Sequence, residues 1–200
     1  MKLIDIIRSH GIYTATSREF TLSGGSKSNT YIDLRWIVLS RRGFSAIGEG
    51  LTGLIDSQAE SIDAICGVLT AGAFCAMSIM EMTAWSPLLF CVQRKNGDVR
   101  ILGGLDFDPL DEDMRDYSEP GLRVMMIDDV ITTGWSIKKD AEVLTRAGMV
   151  VVGAAVVVNR SGMDQIEIST VNRESSIIPM TTVPVYSMFR YSDESGLVEV

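Results

Sequence analysis

The chain has 200 residues, 46% hydrophobic and 22% charged, which suits one globular domain with a full core and excludes a disordered chain. Lys and Arg number 18 against 26 Asp and Glu, a net charge of −8 that argues against nucleic acid or an anionic membrane as partner, since both call for clustered cations. No apolar run is long enough for a membrane span, and the N-terminus MKLIDIIRSHG is charged where a leader peptide would be apolar, so a cytoplasmic location is expected.

Residues 2–9 put Leu3, Ile4, Ile6 and Ile7 at helical spacing, and the helix ends at Gly11. Residues 19–25 read as a strand running into a Gly/Ser turn, and TYIDLR (30–35) alternates as a second strand. A helix is predicted over 43–57 despite its glycines. From there a strand at 62–68, a helix at 72–84, strands at 88–93 and 122–127, a helix at 135–147 and a strand at 150–158 follow one another. Continuous apolar strands alternating with helices indicate a parallel sheet covered on both faces, hence an α/β fold of doubly wound character. The segment 183–189 predicts an additional edge strand. The polar stretch 94–121 reads as a long loop, and from Asp106 to Glu119 it carries seven acids and one base, Arg115. No internal repeat is visible, and the whole reads as one domain over 1–200.

The three cysteines, Cys66, Cys75 and Cys91, sit in apolar runs without a CxxC spacing and read as buried free thiols of a reducing compartment. His10 is the only histidine, so neither a zinc centre nor a Ser-His-Asp triad is expected.

The stretch that carries chemistry is Val124-Met-Met-Ile-Asp128-Asp129-Val130-Ile131-Thr132-Thr133-Gly134-Trp135-Ser136. An apolar strand ends in two carboxylates, a short Thr/Gly loop follows, and a helix begins. The carboxyl end of a strand in an open α/β sheet is where ligands bind. The free N–H groups of the following helix suit a phosphate, the Thr hydroxyls add donors, and a glycine lets the backbone come close. Two adjacent acids suit ribose hydroxyls, or Mg²⁺ beside a diphosphate.

VMMIDDVITTG resembles the 5-phosphoribosyl-1-pyrophosphate (PRPP) motif of the type I phosphoribosyltransferases. FTLSGGSKSNTYIDLR (20–35) is similar to the N-terminal signature of the orotate phosphoribosyltransferases. VQRKNGDVRILGG (92–104) stands in the place of their mobile catalytic loop, and VVVNRSG (156–162) matches a late strand whose arginine contacts orotate. Four motifs in the right order span residues 20–162. The resemblance implies an open, mostly parallel sheet flanked by helices, with a small N-terminal hood (1–40) and a flexible flap (94–121). It implies Mg²⁺-dependent transfer from PRPP to orotate or a similar base, in a homodimer. Asp128 and Asp129 would hold the ribose hydroxyls and touch Mg²⁺ only through PRPP or water. Val130, Ile131, Thr132, Thr133, Gly134, Trp135 and Ser136 would form the 5-phosphate loop. Lys27 would reach the pyrophosphate or the base, Arg94 and Lys95 would cross a dimer interface onto the pyrophosphate, and Arg160 would face the acceptor.

Three positions depart from that pattern. The loop Lys and His fall near Asp98 and Arg100, so Arg100 becomes the candidate catalytic cation. A Tyr-Lys-Gly segment is replaced by Thr70-Ala71-Gly72, and Trp135 stands where a small hydroxylated residue is usual. All three touch on phosphate handling, chiefly that of the pyrophosphate, so two readings follow. One is an enzyme relying on Mg²⁺ and Arg100, and the other is a PRPP- or nucleotide-sensing protein with little turnover, or a transferase for another base.

Overall fold

The computed structural model describes residues 2–16, 19–21, 25, 27–56, 62–84, 87–95, 98–103, 121–169 and 180–200, with only the backbone at 94, 95 and 98. The first helix, α1 (Leu3–His10), turns Ile4 and Ile7 inward, as its apolar spacing requires. Two small antiparallel ladders follow: β1 (Ile12–Thr14) on β4 (Thr30–Ile32), and β2 (Phe20–Thr21) on β3 (Lys27–Ser28). Both are separate from the main sheet.

The strand expected over 30–35 stops at Ile32. The buried Asp33 carboxylate accepts the Arg35 amide at 3.0 Å, which turns the chain into α2 (Arg35–Val38). The next helix, α3 (Arg41–Ile55), starts two residues before the expected 43 because the Ser40 hydroxyl caps it, accepting the Gly43 amide at 3.1 Å.

The main sheet contains eight described strands. They are β5 (Ala64–Gly67), β6 (Leu88–Lys95), β7 (Asp98–Gly103), β8 (Arg123–Ile131), β9 (Val150–Asn159), β10 (Gln165–Ser169), β11 (Met180–Ser192) and β12 (Gly196–Glu199). Their order is β10-β11-β9-β8-β5-β6-β7, with β12 also on β11. The five central strands, from β11 to β6, are parallel, and β7, β10 and β12 are antiparallel additions. The helix α4 (Ala71–Met82) links β5 to β6, and α5 (Trp135–Arg146) links β8 to β9.

Neighbouring residues of the central strands feed opposite cores, as strand alternation demands. Ile65, Met125 and Ile127 pack with α3 and α4, whereas Cys66 and Met126 pack with Ile137, Ala141 and Leu144 of α5. All four residues of β5 are buried, as a strand covered on both faces should be. Cys66 and Cys75 are buried and Cys91 half-buried; all three are free thiols, and burial pushes each thiol pKa up. His10 is exposed at the last turn of α1. Among the described residues no helix is long and apolar enough to cross a membrane.

Three expectations need correction. Residues 183–189 belong to a 13-residue strand that runs inside the sheet between β9 and β10, because its alternate side chains are buried by neighbours far away in sequence. The stretch 94–121 is not all loop: Asp98–Gly103 folds back antiparallel on β6, with Val92 opposite Ile101 and the buried Val92 anchoring the pair. Residues 104–120, which include the acidic flap, lie outside the described residues. Finally, the strand expected at 122–127 runs on through both aspartates to Ile131, held by parallel pairing with β9.

Candidate active site

The chain leaves β5 toward β6 on one side and leaves β8 toward β9 on the other, so the order reverses between β5 and β8. Ligands of open α/β sheets bind in the crevice at such a point. A cleft of about 360 Å³ lies there. Its floor is Val68–Ala71 after β5 and Asp128, Asp129, Val130, Thr132 and Ser136 at the end of β8 and the start of α5. Its roof is Thr21, Tyr31 and Ile32 from the small ladders and Asp33 and Arg35 at the turn into α2, with Arg160 from the end of β9.

Asp128 is buried, and its Oδ1 accepts the Asp129 amide at 2.9 Å. Burial, and then the neighbouring Asp129 charge, hold the Asp128 carboxyl well above the usual carboxylate range. Burial, then the Asp33 charge among the groups that oppose ionisation, raises Asp129 as well. Neither acid forms an ion pair with a cationic side chain among the described residues. Asp128 sits against the start of α4, where Gly72 is indispensable: a Cβ there would lie 2.5 Å from the Ile127 carbonyl oxygen and 2.9 Å from Asp128 Cα.

After Ile131 the chain turns through Thr132 and Thr133 to Gly134, whose left-handed φ of 71° starts α5. A side chain at Gly134 would also run into Ile166, 2.4 Å from its Cβ. The Thr133 hydroxyl accepts the Trp135 amide at 3.3 Å. Thr132 and Ser136 line the cleft where α5 begins.

Several expected site residues lie elsewhere. The Ile131 side chain is in the core, and its carbonyl accepts the Arg160 amide at 2.9 Å. Trp135 is half-exposed and lines an adjoining hollow with Gln93 and Asp140, which shares Val68, Leu69 and Ser136 with the cleft. Lys27 is solvent-exposed on β3, ion-paired with Glu19 at 3.7 Å, outside the cleft lining. Arg100 stands exposed opposite Gln93 on β7, with β5 and β6 between it and β8. The side chains of Arg94 and Lys95 lie outside the described residues.

Arg160 lines the cleft, and its guanidinium holds the roof. Nη1 donates to the Thr30 carbonyl at 2.7 Å and Nη2 to the Ser28 hydroxyl at 2.8 Å. Nη2 also lies 3.6 Å from Asp193, and the group stacks over Tyr191 at 5.4 Å. Arg160→Ala should therefore loosen the roof, costing about 1–2 kcal/mol for bonds made by a charged donor, or roughly 3–6 °C in Tm. Amide exchange should quicken at Thr30, Tyr31 and Ile32; unchanged exchange there would refute the clamp.

Sequence reading missed Tyr31, Asp33 and Arg35. Tyr31 packs against Phe20, and burial, then the Asp33 charge, raises its phenol pKa. Asp33 accepts Arg35 Nε at 2.9 Å and Nη2 at 2.5 Å, and these bonds hold its carboxyl below the usual range. The missed signal was an Asp two residues before an Arg at the end of an alternating run, which marks an Asx turn.

An open parallel sheet with acids and a phosphate-type loop at its switch point, roofed by an N-terminal subdomain, is the arrangement of a phosphoribosyltransferase. No family model matches the chain. It is 29% identical over 201 residues to the orotate phosphoribosyltransferase of Aquifex aeolicus, covering 96% of this chain and 95% of that one. To the orotate phosphoribosyltransferase of Aeropyrum pernix it is 32% identical over 143 residues, covering 71% of this chain and 70% of that one. The crystal structure of the Mycobacterium tuberculosis orotate phosphoribosyltransferase in complex with inorganic phosphate superposes with a TM-score of 0.60 at 25% identity, over 80% of this chain and 82% of that one. The chain belongs to the orotate phosphoribosyltransferase family.

Proposed function

We propose that this protein transfers the phosphoribosyl group of PRPP to orotate, forming orotidine 5′-monophosphate and releasing pyrophosphate in pyrimidine nucleotide synthesis. The observation that carries this reading is the pair of adjacent carboxylates at Asp128, which is buried, and Asp129, which is half-buried, neither ion-paired among the described residues, beside the N-terminus of α5 in a chain of this family. The pair suits the two ribose hydroxyls, which donate to carboxylates, and the Thr132–Ser136 loop suits the 5-phosphate.

Breaking the bond at the anomeric carbon builds positive charge on the ribose and negative charge on the leaving pyrophosphate. No side chain needs to bond to the sugar. The residues orient the two reactants at the switch point and hold them between floor and roof. Asp128 and Asp129 keep anionic oxygens close to the sugar that becomes positive.

Mg²⁺ fits this site in a limited sense. Among the described residues no three acidic, His or Cys groups gather into a cage. Mg²⁺ typically keeps its waters and takes one or two carboxylates plus substrate phosphates, which is what Asp128 and Asp129 offer. When bound, it supplies neutralisation of the diphosphate charge. In this reading the protein acts as a homodimer. The β6–β7 hairpin that bears Arg94, Lys95 and Arg100 lies at the sheet edge, away from its own cleft, where it is free to serve a neighbour's.

The test is orotate-dependent pyrophosphate release from PRPP and Mg²⁺ by the purified protein. Turnover that requires orotate is the expected result. Folded protein that binds PRPP but ignores orotate would exclude this acceptor and favour another base or a sensing role.

A further inference from the structure

We propose that Arg35, aimed by Asp33, is the cation that this chain itself brings to the pyrophosphate group of PRPP in its own cleft, beside any a partner's hairpin adds; this rests on the reading of the cleft as a PRPP site.

The parts of the ligand divide the cleft among themselves. The 5-phosphate suits the start of α5 and the ribose hydroxyls suit Asp128 and Asp129. The group on the anomeric carbon is left with the remaining wall, residues 68–71 and the roof facing them. Val68, Leu69, Thr70 and Ala71 carry no charge, although α4 begins there with its free N–H groups. A multiply charged diphosphate needs a cation as well, and two arginines line the cleft.

Arg160 is already engaged with Thr30, Ser28 and Asp193. Arg35 is not. A guanidinium has five N–H donors; Arg35 gives Nε and one Nη2 hydrogen to Asp33, and no described residue accepts the others. Its side chain is 53% exposed, so those donors face open space at the cleft. Asp33 is buried and grips the guanidinium in two-point geometry, which fixes the plane of the fork. Asp33 is thus a positioning residue, and its own charge is neutralised by the group it aims.

The test is calorimetric titration of the wild-type chain, Arg35→Ala, Arg35→Lys and Asp33→Asn with magnesium pyrophosphate and, separately, ribose 5-phosphate, followed by KM values for PRPP and orotate. Arg35→Ala should weaken pyrophosphate about 10–100-fold and raise the PRPP KM, as loss of charge-assisted bonds does. Ribose 5-phosphate affinity and the orotate KM should stay within about twofold. Arg35→Lys should recover part of the loss, as a point charge without the fork. Asp33→Asn should weaken pyrophosphate by a smaller factor. If Arg35→Ala does not fold, Arg35→Gln takes its place. Unchanged pyrophosphate affinity in a folded Arg35 variant, or a loss confined to orotate, overturns the inference and leaves the proposed function intact. Wild-type protein that binds pyrophosphate through Arg35 yet shows no orotate-dependent turnover supports the inference and overturns the choice of acceptor. Wild-type protein that binds no pyrophosphate overturns both.

Discussion

Replacing both switch-point acids, Asp128→Asn with Asp129→Asn, should abolish PRPP binding and at the same time raise the thermal stability of the ligand-free protein. The two effects share one cause. Asp128 is buried with the half-buried Asp129 beside it, neither is ion-paired among the described residues, and burial raises the pKa of both. Asn has nearly the same shape and can still accept the Asp129 backbone amide, so the fold keeps its hydrogen bond and loses the charge repulsion. Relief on the order of 2 kcal/mol is reasonable for buried, poorly paired charge, or roughly 4–8 °C in Tm. The ribose hydroxyls, in contrast, lose two charged acceptors, which should weaken PRPP by more than about 100-fold.

The pH dependence fixes the sign of the stability effect. The folded pKa of these acids is raised, so at pH values above the ordinary carboxylate range the folded wild type still holds protons that the unfolded chain has released. Its stability therefore falls as pH rises through that window and levels off once both acids ionise. The Tm advantage of the double variant should be small near pH 4 and widest at neutral pH. Asp33 behaves oppositely: its folded pKa is lowered by Arg35, so its contribution is present above the unfolded value and is lost as pH falls through the folded one. Calorimetry across pH with and without PRPP checks both. A double variant that binds PRPP as well as the wild type, or melts lower at neutral pH, would sink the assignment of these acids.

Gly72→Ala should damage fold and site together. The added methyl would meet the Ile127 carbonyl at 2.5 Å, Asp128 Cα at 2.9 Å and Asp128 Oδ1 at 3.0 Å. Two of those atoms are backbone of the central strand β8, which is paired on both sides and cannot shift. The helix α4 cannot easily retreat either, because its far side packs on α3. Overpacking of this kind costs about 2–3 kcal/mol, or roughly 4–10 °C in Tm. The PRPP KM should rise at least about tenfold, because the carboxylate and the α4 N-terminus are pushed apart. Gly53→Ala, in α3 with nothing within 4 Å of the added Cβ, is the control. It should stabilise by about 0.5–1 kcal/mol. Equal responses at the two glycines would show that the tight contact at Gly72 does not matter.

Features local along the chain are legible in its residues. The alternation of apolar strands and helices from Ala64 to Asn159 identified the parallel sheet, since a strand buried on both faces must be apolar throughout. The Asp128–Ser136 stretch identified the ligand loop, because acids, hydroxyls, glycine and helix start are contiguous and their geometry follows from one strand-to-helix turn. Tertiary structure decided the rest, and in each case the reason is a contact between distant residues. TYIDLR alternates like a strand, yet Asp33 bends it into a helix and puts Arg35 in the cleft wall. Arg160 resembled a base-binding residue, yet 130 residues of separation from Thr30 conceal that its guanidinium holds the roof down. Residues 183–189 looked like an edge because neither β9 nor β10 announces its partner in sequence. Gly72 is read in the Thr70-Ala71-Gly72 segment, and nothing along the chain announces that the close approach of α4 to β8 requires a glycine there. Local patterns set the backbone conformation and the ligand loop, whereas the walls of the cleft are a product of packing between segments that the chain order keeps apart.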